Sequence, residues 1–190
     1  TNGFIKNIDF YVLNQVCKKI SEWQQSRINC VPVSVNFSKL HFTGNNLAER
    51  ICNVIDEWKV PHDLIEIECT ETSFIDTRES LSKTIDELKQ AGVKSSIDDF
   101  GTGYSSISLL QDLHFSVLKF DKTFIDTVEH GSRAETIVGD IIRMAKDLDM
   151  NVVAEGVETR EKFELLGLLG CDMIQGYFFD KPLPNSEFEK

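Results

Sequence analysis

Short β-branched runs and longer amphipathic runs alternate along this chain, and strict strand-then-helix alternation leaves few folds open. Residues 5–26 come first, with Ile5, Ile8, Val12, Val16 and Ile20 spaced by three or four, which predicts one apolar face of an opening helix. The run 31–38 then reads as a strand and 45–59 as a helix carrying Leu47, Ile51, Val54, Ile55 and Trp58 on one side. The pattern repeats as 64–71 with 80–92, where Gly92 is placed to cap the helix, and as 93–100 with a weaker helix at 106–113. It continues as 115–122 with 135–149, 151–158 with 159–170, and 173–179 with a helix opening at Asn185.

Six such units require a parallel α/β sheet with right-handed crossovers, either open and doubly wound or closed as a TIM-like (β/α)8 barrel. The polar residues separate the two. Each predicted strand ends in a charged or amide side chain: Asn36, Glu68 with Glu71, Asp98 with Asp99, Lys119 with Asp121, Glu155 with Glu158, and Gln175. An open sheet concentrates its site at one switch point, whereas a barrel gathers the ends of all its strands around one mouth. The barrel is therefore expected. A barrel takes about 250 residues and eight strands, so 190 residues that begin on a helix predict a domain truncated at its N-terminus to about six βα units.

A net charge of −11 and a pI near 4.8 argue against a chain held to a DNA or RNA polymer by a broad basic face. No apolar run is long enough to span a bilayer, so no membrane segment is expected in this chain. Cys17, Cys30, Cys52, Cys69 and Cys171 are scattered and never form C-x-x-C, which reads as reduced thiols and a cytoplasmic setting, with any membrane tether in regions outside this chain. His41, His62, His114 and His130 lie in apparent loops or helix ends without zinc spacing.

Carboxylates with an amide suit Mg²⁺, Mn²⁺ or Ca²⁺ instead. The adjacent pair Asp98-Asp99 is the sharpest element. Neighbours on a strand point to opposite faces, so only a strand end or bulge lets both reach one metal centre. The ordinary alternative is that Asp98 alone is a ligand while Asp99 caps the next turn. Two further patterns are weak. Gly101-x-Gly103-x-x-Ser106 has the outline of a dinucleotide loop but lacks the third glycine. Cys69 lies between two glutamates that disfavour its thiolate.

IDDFGTGYSS (97–106), with VNFS (35–38), IECTET (67–72), LKFDKTFID (118–126), VVAEGVET (152–159) and GCDMIQGYFFDKPLP (170–184), resembles the EAL-domain family along essentially the whole chain. The resemblance implies a (β/α)8 barrel that hydrolyses cyclic di-GMP to linear pGpG with two divalent ions, Mg²⁺ or Mn²⁺, and is inhibited by Ca²⁺. It implies metal ligation by Asn36, Glu68, Asp98 and Asp99, and catalytic roles for Lys119, Glu155 and Asp99. Gln175, Glu158 and Glu71 would support the metals or the loop carrying Gly101 to Ser106, and Gln175, Asp121, Gly101 and Thr102 would meet substrate. Homodimerisation is a further implication. The family's name motif would lie upstream of Thr1, so residues 1–190 are expected to form a partial domain that is inactive alone. Two other readings stand beside this one: a non-catalytic receptor or dimerisation module, and a carbonyl-directed barrel enzyme using Lys119 as base. For Lys119 the ordinary alternative is a salt bridge to Asp121, and for Glu158 a charge at a helix N-terminus.

Overall fold

The computed structural model describes residues 2–44, 46–70, 78–101 and 107–189. Its strands are β1 (Val33–Asn36), β2 (Ile65–Thr70), β3 (Lys94–Phe100), β4 (Val117–Phe120), β5 (Asn151–Ala154) and β6 (Met173–Ile174). The helices are α1 (Asn2–Gln25), α2 (Leu47–Glu57), α3 (Arg78–Gln90), α4 (Ile107–Asp112), α5 (Lys122–Asp126), α6 (Arg133–Asp147), α7 (Arg160–Leu168) and α8 (Asn185–Phe188). The strands follow one another in sheet order exactly as they do in the chain, β1-β2-β3-β4-β5-β6. A doubly wound sheet would reverse direction at a switch point, so unbroken sequential order is the barrel-type solution expected from the sequence. Two compact units divide the chain, Thr1–Asp98 with Tyr104–Ser116, and Asp99–Gly103 with Val117–Lys190.

In the first unit β1, β2 and β3 pair in parallel, with Val35 beside Ile67 and Cys69 beside Ile97. These side chains, with Ile65, form the helix-facing side of the strands. Leu47, Ala48, Ile51 and Ile55 of α2 and Leu81, Ile85 and Leu88 of α3 are buried with them. Full burial of each such side chain is worth about 1.5–3 kcal/mol. Gly92 closes α3 as predicted, at φ +85°, while Val93 N–H reaches back to Leu88 O at 3.0 Å.

The opening helix buries Ile20 as expected but otherwise turns a different face inward. Leu13, Cys17, Ile20 and Trp23 are buried, whereas Ile5, Ile8 and Val12 remain 42%, 42% and 41% exposed. Leu13 and Cys17 each sit one position beyond Val12 and Val16, a rotation of about 100° on the helix. Both stripes are apolar, and packing against the sheet selected the second. Near the same helix His41 is buried between the rings of Phe10 and Phe37, at centroid distances of 5.3 and 5.1 Å. Its Nε2 lies 3.0 Å from Asp9 Oδ2, which also accepts from Ser38 N–H at 3.0 Å. Its Nδ1 is buried without a hydrogen-bond partner.

In the second unit β4, β5 and β6 pair in parallel, bringing Leu118 beside Val152 and Phe120 beside Ala154. Val138, Ile142 and Ala145 of α6 and Leu165 and Leu166 of α7 are buried in this unit. Ser132 caps α6 by accepting from Glu135 N–H at 3.1 Å, and Thr159 caps α7 by accepting from Lys162 N–H at 3.3 Å. Three local readings change here, the first being that β5 stops at Ala154 instead of running to Glu158, because the chain turns at Gly156 with φ +69°. Residues 121 and 122 do not continue β4. Asp121 Oδ1 instead accepts from Thr123 N–H at 2.8 Å and starts the short helix α5. Strand β6 stops at Ile174 instead of running to Phe179. At Gly176 the chain turns against the backbone of Val157, whose oxygen accepts from Phe178 N–H at 3.0 Å.

Three stability outcomes follow from these surroundings. Burial holds the His41 imidazole below its ordinary value of 6.5, outweighing the opposing effect of Asp9, while Lys6 and Arg50 add to the lowering. The unfolded chain therefore takes up a proton that the folded chain resists, so the His41 contribution is intact above about pH 6.5 and is lost as pH falls below it. Urea midpoints across that range should fall for the protein and fall less for His41→Gln. At Gly176 a Cβ would collide with the Val157 backbone, so Gly176→Ala should cost about 1–3 kcal/mol or more. By contrast, a Cβ at Gly167 in α7 would meet nothing within 4 Å, and Gly167→Ala should stabilise by about 0.5–1 kcal/mol, both glycine variants being read by urea denaturation.

Candidate functional site

In the first unit the parallel register sets Asn36 beside Glu68 and Glu68 beside Ser96. Asp98 lies two residues beyond Ser96 on the same strand, beside Thr70. Because side chains alternate along a strand, Asn36, Glu68, Ser96 and Asp98 all belong to the sheet face opposite Ile67 and Ile97. One amide and two carboxylates are thereby gathered at the C-terminal ends of three neighbouring strands. Glu68 is buried and Asp98 half-buried. Below them Ser34 Oγ donates to Glu66 Oε1 at 3.2 Å, adding a second buried carboxylate to this face that sequence reasoning had passed over. The alternation I-E-I-E-C, read as period two, was the signal available for it.

The chain departs from regular extension at Asp99, where φ is +58°. A non-glycine residue in this region is uncommon. A regular strand sends neighbouring side chains such as Asp98 and Asp99 to opposite faces, and a left-handed residue interrupts that regularity.

In the second unit Lys119 is 5% exposed on β4, and its Nζ lies 3.3 Å from Glu155 Oε1, just past the end of β5. The salt bridge to Asp121 weighed from the sequence is replaced by this one, since Asp121 is engaged as the cap of α5. Lys122, which sequence reasoning missed, contacts the same loop three residues further on. Its Nζ donates to Glu158 Oε1 at 2.6 Å, a bond that raises the lysine above its ordinary range. The Lys122 stem passes over Gly156, at φ +69°, occupying the space a side chain there would need. Glu155, Gly156 and Glu158 are thus all tied to one short segment, Lys119 to Lys122. Glu158 sits immediately before Thr159, the cap of α7, as the helix-terminal reading has it, and also forms this ion pair.

The loop is also held by its backbone. Glu155 N–H donates to Phe120 O at 3.1 Å, Val157 N–H to Gln175 O at 3.0 Å, and Gln175 N–H to Ala154 O at 2.9 Å. Gln175 keeps an exposed side chain beside this lattice. Gly101, at φ +104°, approaches Phe124 so closely that a Cβ there would lie 2.6 Å from the ring.

Glu71 and Thr102 lie outside the described residues, as does most of the loop to Ser106. Among the described residues no three His, Cys, Asp or Glu side chains group tightly enough to hold a metal by themselves. The donors in the first unit are accordingly two carboxylates and an amide. Burial pushes the Cys69 thiol far up, with Asp98 adding to the effect, so Cys69 is an inert strand residue. Two open surface grooves lie elsewhere. One, of about 750 Å³, is bordered by Arg78, Lys83 and Asp112, and the other, of about 500 Å³, by Glu129, Lys162 and Leu168. Neither includes a candidate site residue. No helix among the described residues is long and apolar enough to cross a membrane.

Comparison with known proteins agrees with this arrangement. Over 97% of its length the chain is 37% identical to the oxygen sensor protein DosP of Escherichia coli K12, of which it covers 23%. It is 34% identical over 96% of its length to MucR of Pseudomonas aeruginosa, a bifunctional diguanylate cyclase/cyclic di-GMP phosphodiesterase, covering 27% of that protein. The chain thus spans about a quarter of these relatives. A solved structure of the PaMucR phosphodiesterase with c-di-GMP superposes with a TM-score of 0.87 at 34% identity, covering 98% of this chain and 76% of that one. Klebsiella pneumoniae BlrP1, solved in a calcium/cy-diGMP complex, gives a TM-score of 0.82 at 26% identity over 93% of this chain and 44% of that one. The EAL domain model itself matches residues 1–182, and with the strand-end carboxylates, the sequential parallel sheet and these relatives in agreement, the chain belongs to the EAL domain family.

Proposed function

We propose that this chain is the catalytic part of a cyclic di-GMP phosphodiesterase that opens its substrate to linear pGpG by metal-assisted attack of water. The observation that carries the reading is the donor set of Asn36, Glu68 and Asp98, three hard oxygen donors on one face of adjacent parallel strands. The set fits Mg²⁺, Mn²⁺ or Ca²⁺, which take carboxylate and amide oxygens, and offers no nitrogen or sulfur donor of the kind zinc prefers. The orphaned, fully buried hydroxyl of Ser96 beside Glu68 is consistent with a row arranged for more than packing.

Asn36, Glu68 and Asp98 would hold one ion, and Asp99, turned out of the strand alternation, would face a second. When bound, such ions lower the pKa of water and neutralise charge on a phosphodiester. The chain's own groups do the rest. Lys119 offers a fixed point charge for a phosphate oxygen or for the attacking water. Glu155 holds that ammonium in place at 3.3 Å and accepts a proton from the water as it attacks. The Lys122–Glu158 pair and the Gly176 turn would hold the Glu155 loop in position. Gln175, exposed beside the Glu155 loop, would hydrogen-bond the substrate.

The test is hydrolysis of cyclic di-GMP by the full-length protein with Mg²⁺ or Mn²⁺. Turnover should disappear with a chelator and fall on the order of 100-fold or more in Asp98→Asn, Glu155→Ala and Lys119→Ala. Tight nucleotide binding in Ca²⁺ without turnover in any divalent ion would make the chain a receptor instead of an enzyme. Absence of both would leave the fold as a docking scaffold.

A further inference from the structure

Strand β3 contains two successive serines, and the structure treats them alike in one respect and differently in another. Ser95 and Ser96 are 1% and 0% exposed, and neither hydroxyl has a hydrogen-bond partner. Folded proteins seldom leave such groups unsatisfied without a reason. The two point to opposite faces of the strand. Ser95 shares its face with Ile67, its register neighbour, and with Ile97. That environment is apolar, and Ser95 functions there as a small residue. Ser96 shares its face with Glu68, its register neighbour, and with Asp98 two residues on.

From this asymmetry we propose that Ser96 is a positioning residue for the metal ligand Glu68. Its hydroxyl donates to one carboxylate oxygen of Glu68 when the other oxygen is engaged by a divalent cation. The inference rests on the metal-binding reading above. Adjacent strands lie about 4.8 Å apart, and a glutamate side chain can swing one oxygen across that gap by rotation about its χ angles. A carboxylate has two oxygens and about four acceptor sites, so the ion and the hydroxyl can be served together. Fixing a ligand's orientation through a neighbouring hydrogen bond raises metal affinity, and losing such a bond typically weakens it about 10–100-fold.

The experiment is a calorimetric Mn²⁺ titration of the full-length protein without nucleotide, run beside Ser96→Ala, Ser96→Cys and Ser95→Ala with a thermal melt of each. Ser96→Ala should weaken Mn²⁺ binding about 10–100-fold while its melting temperature stays near that of the parent. Ser96→Cys, close in size but a far weaker donor, should behave as the alanine variant does. Ser95→Ala, which deletes an equally buried hydroxyl from the opposite face, should bind as the parent does. Unchanged affinity in Ser96→Ala overturns the positioning role. An equal loss in Ser95→Ala overturns it too, because the effect would then be strand packing. A parent protein that takes up no Mn²⁺ overturns the metal reading itself, an outcome distinct from both.

Discussion

Parallel pairing in register is the constraint on which the rest of this structure depends. Strands that run the same way present all their C-terminal ends on one side, and residues at matching positions on neighbours share a face. Pairing Asn36 with Glu68 and Glu68 with Ser96 is therefore enough to assemble oxygen donors from separate stretches of chain. A shift of one residue in β2 would send Glu66 and Glu68 among the helices and Ile65, Ile67 and Cys69 to the polar face. The cost of burying a carboxylate in an apolar layer makes that alternative inaccessible. Register and chemistry are thus held by the same alternation.

The second unit reaches a comparable end by different means. Its strands are only two to four residues long, and short pairing alone specifies little. What defines the Glu155–Glu158 loop is a pair of lysines on one segment and a glycine that admits one of them. Lys119 is buried and Lys122 half-exposed, yet both terminate on carboxylates of this loop. The backbone bonds from Val157 N–H to Gln175 O and from Gln175 N–H to Ala154 O add to these ties. Side-chain pairs and backbone bonds together hold Lys119 and Glu155 within 3.3 Å of each other.

Several elements were legible from residues alone because their signals are local. The six strand positions, the Gly92 cap and the polar strand ends follow from period, turn chemistry and residue type. Other elements were not. The opening helix carries two apolar stripes, and periodicity cannot rank Val12 and Val16 against Leu13 and Cys17. Asp121 reads equally well as a strand residue or a helix cap until the chain beyond Phe120 is seen to turn. Period two marks the face of Glu66, but its bond to Ser34 emerges only when pairing places the two side by side.

The order of the six strands and of the longer helices between them, the acidic strand ends and the family were determined by the sequence itself, since periodicity, turn residues and motif spacing act over a few residues. Which stripe of α1 is buried, which carboxylate meets Lys119, where Lys122 goes and why Ser96 differs from Ser95 were decided only by tertiary structure. Each depends on groups far apart in the chain being placed side by side, and no local pattern records how strongly a distant neighbour will compete for the same side chain.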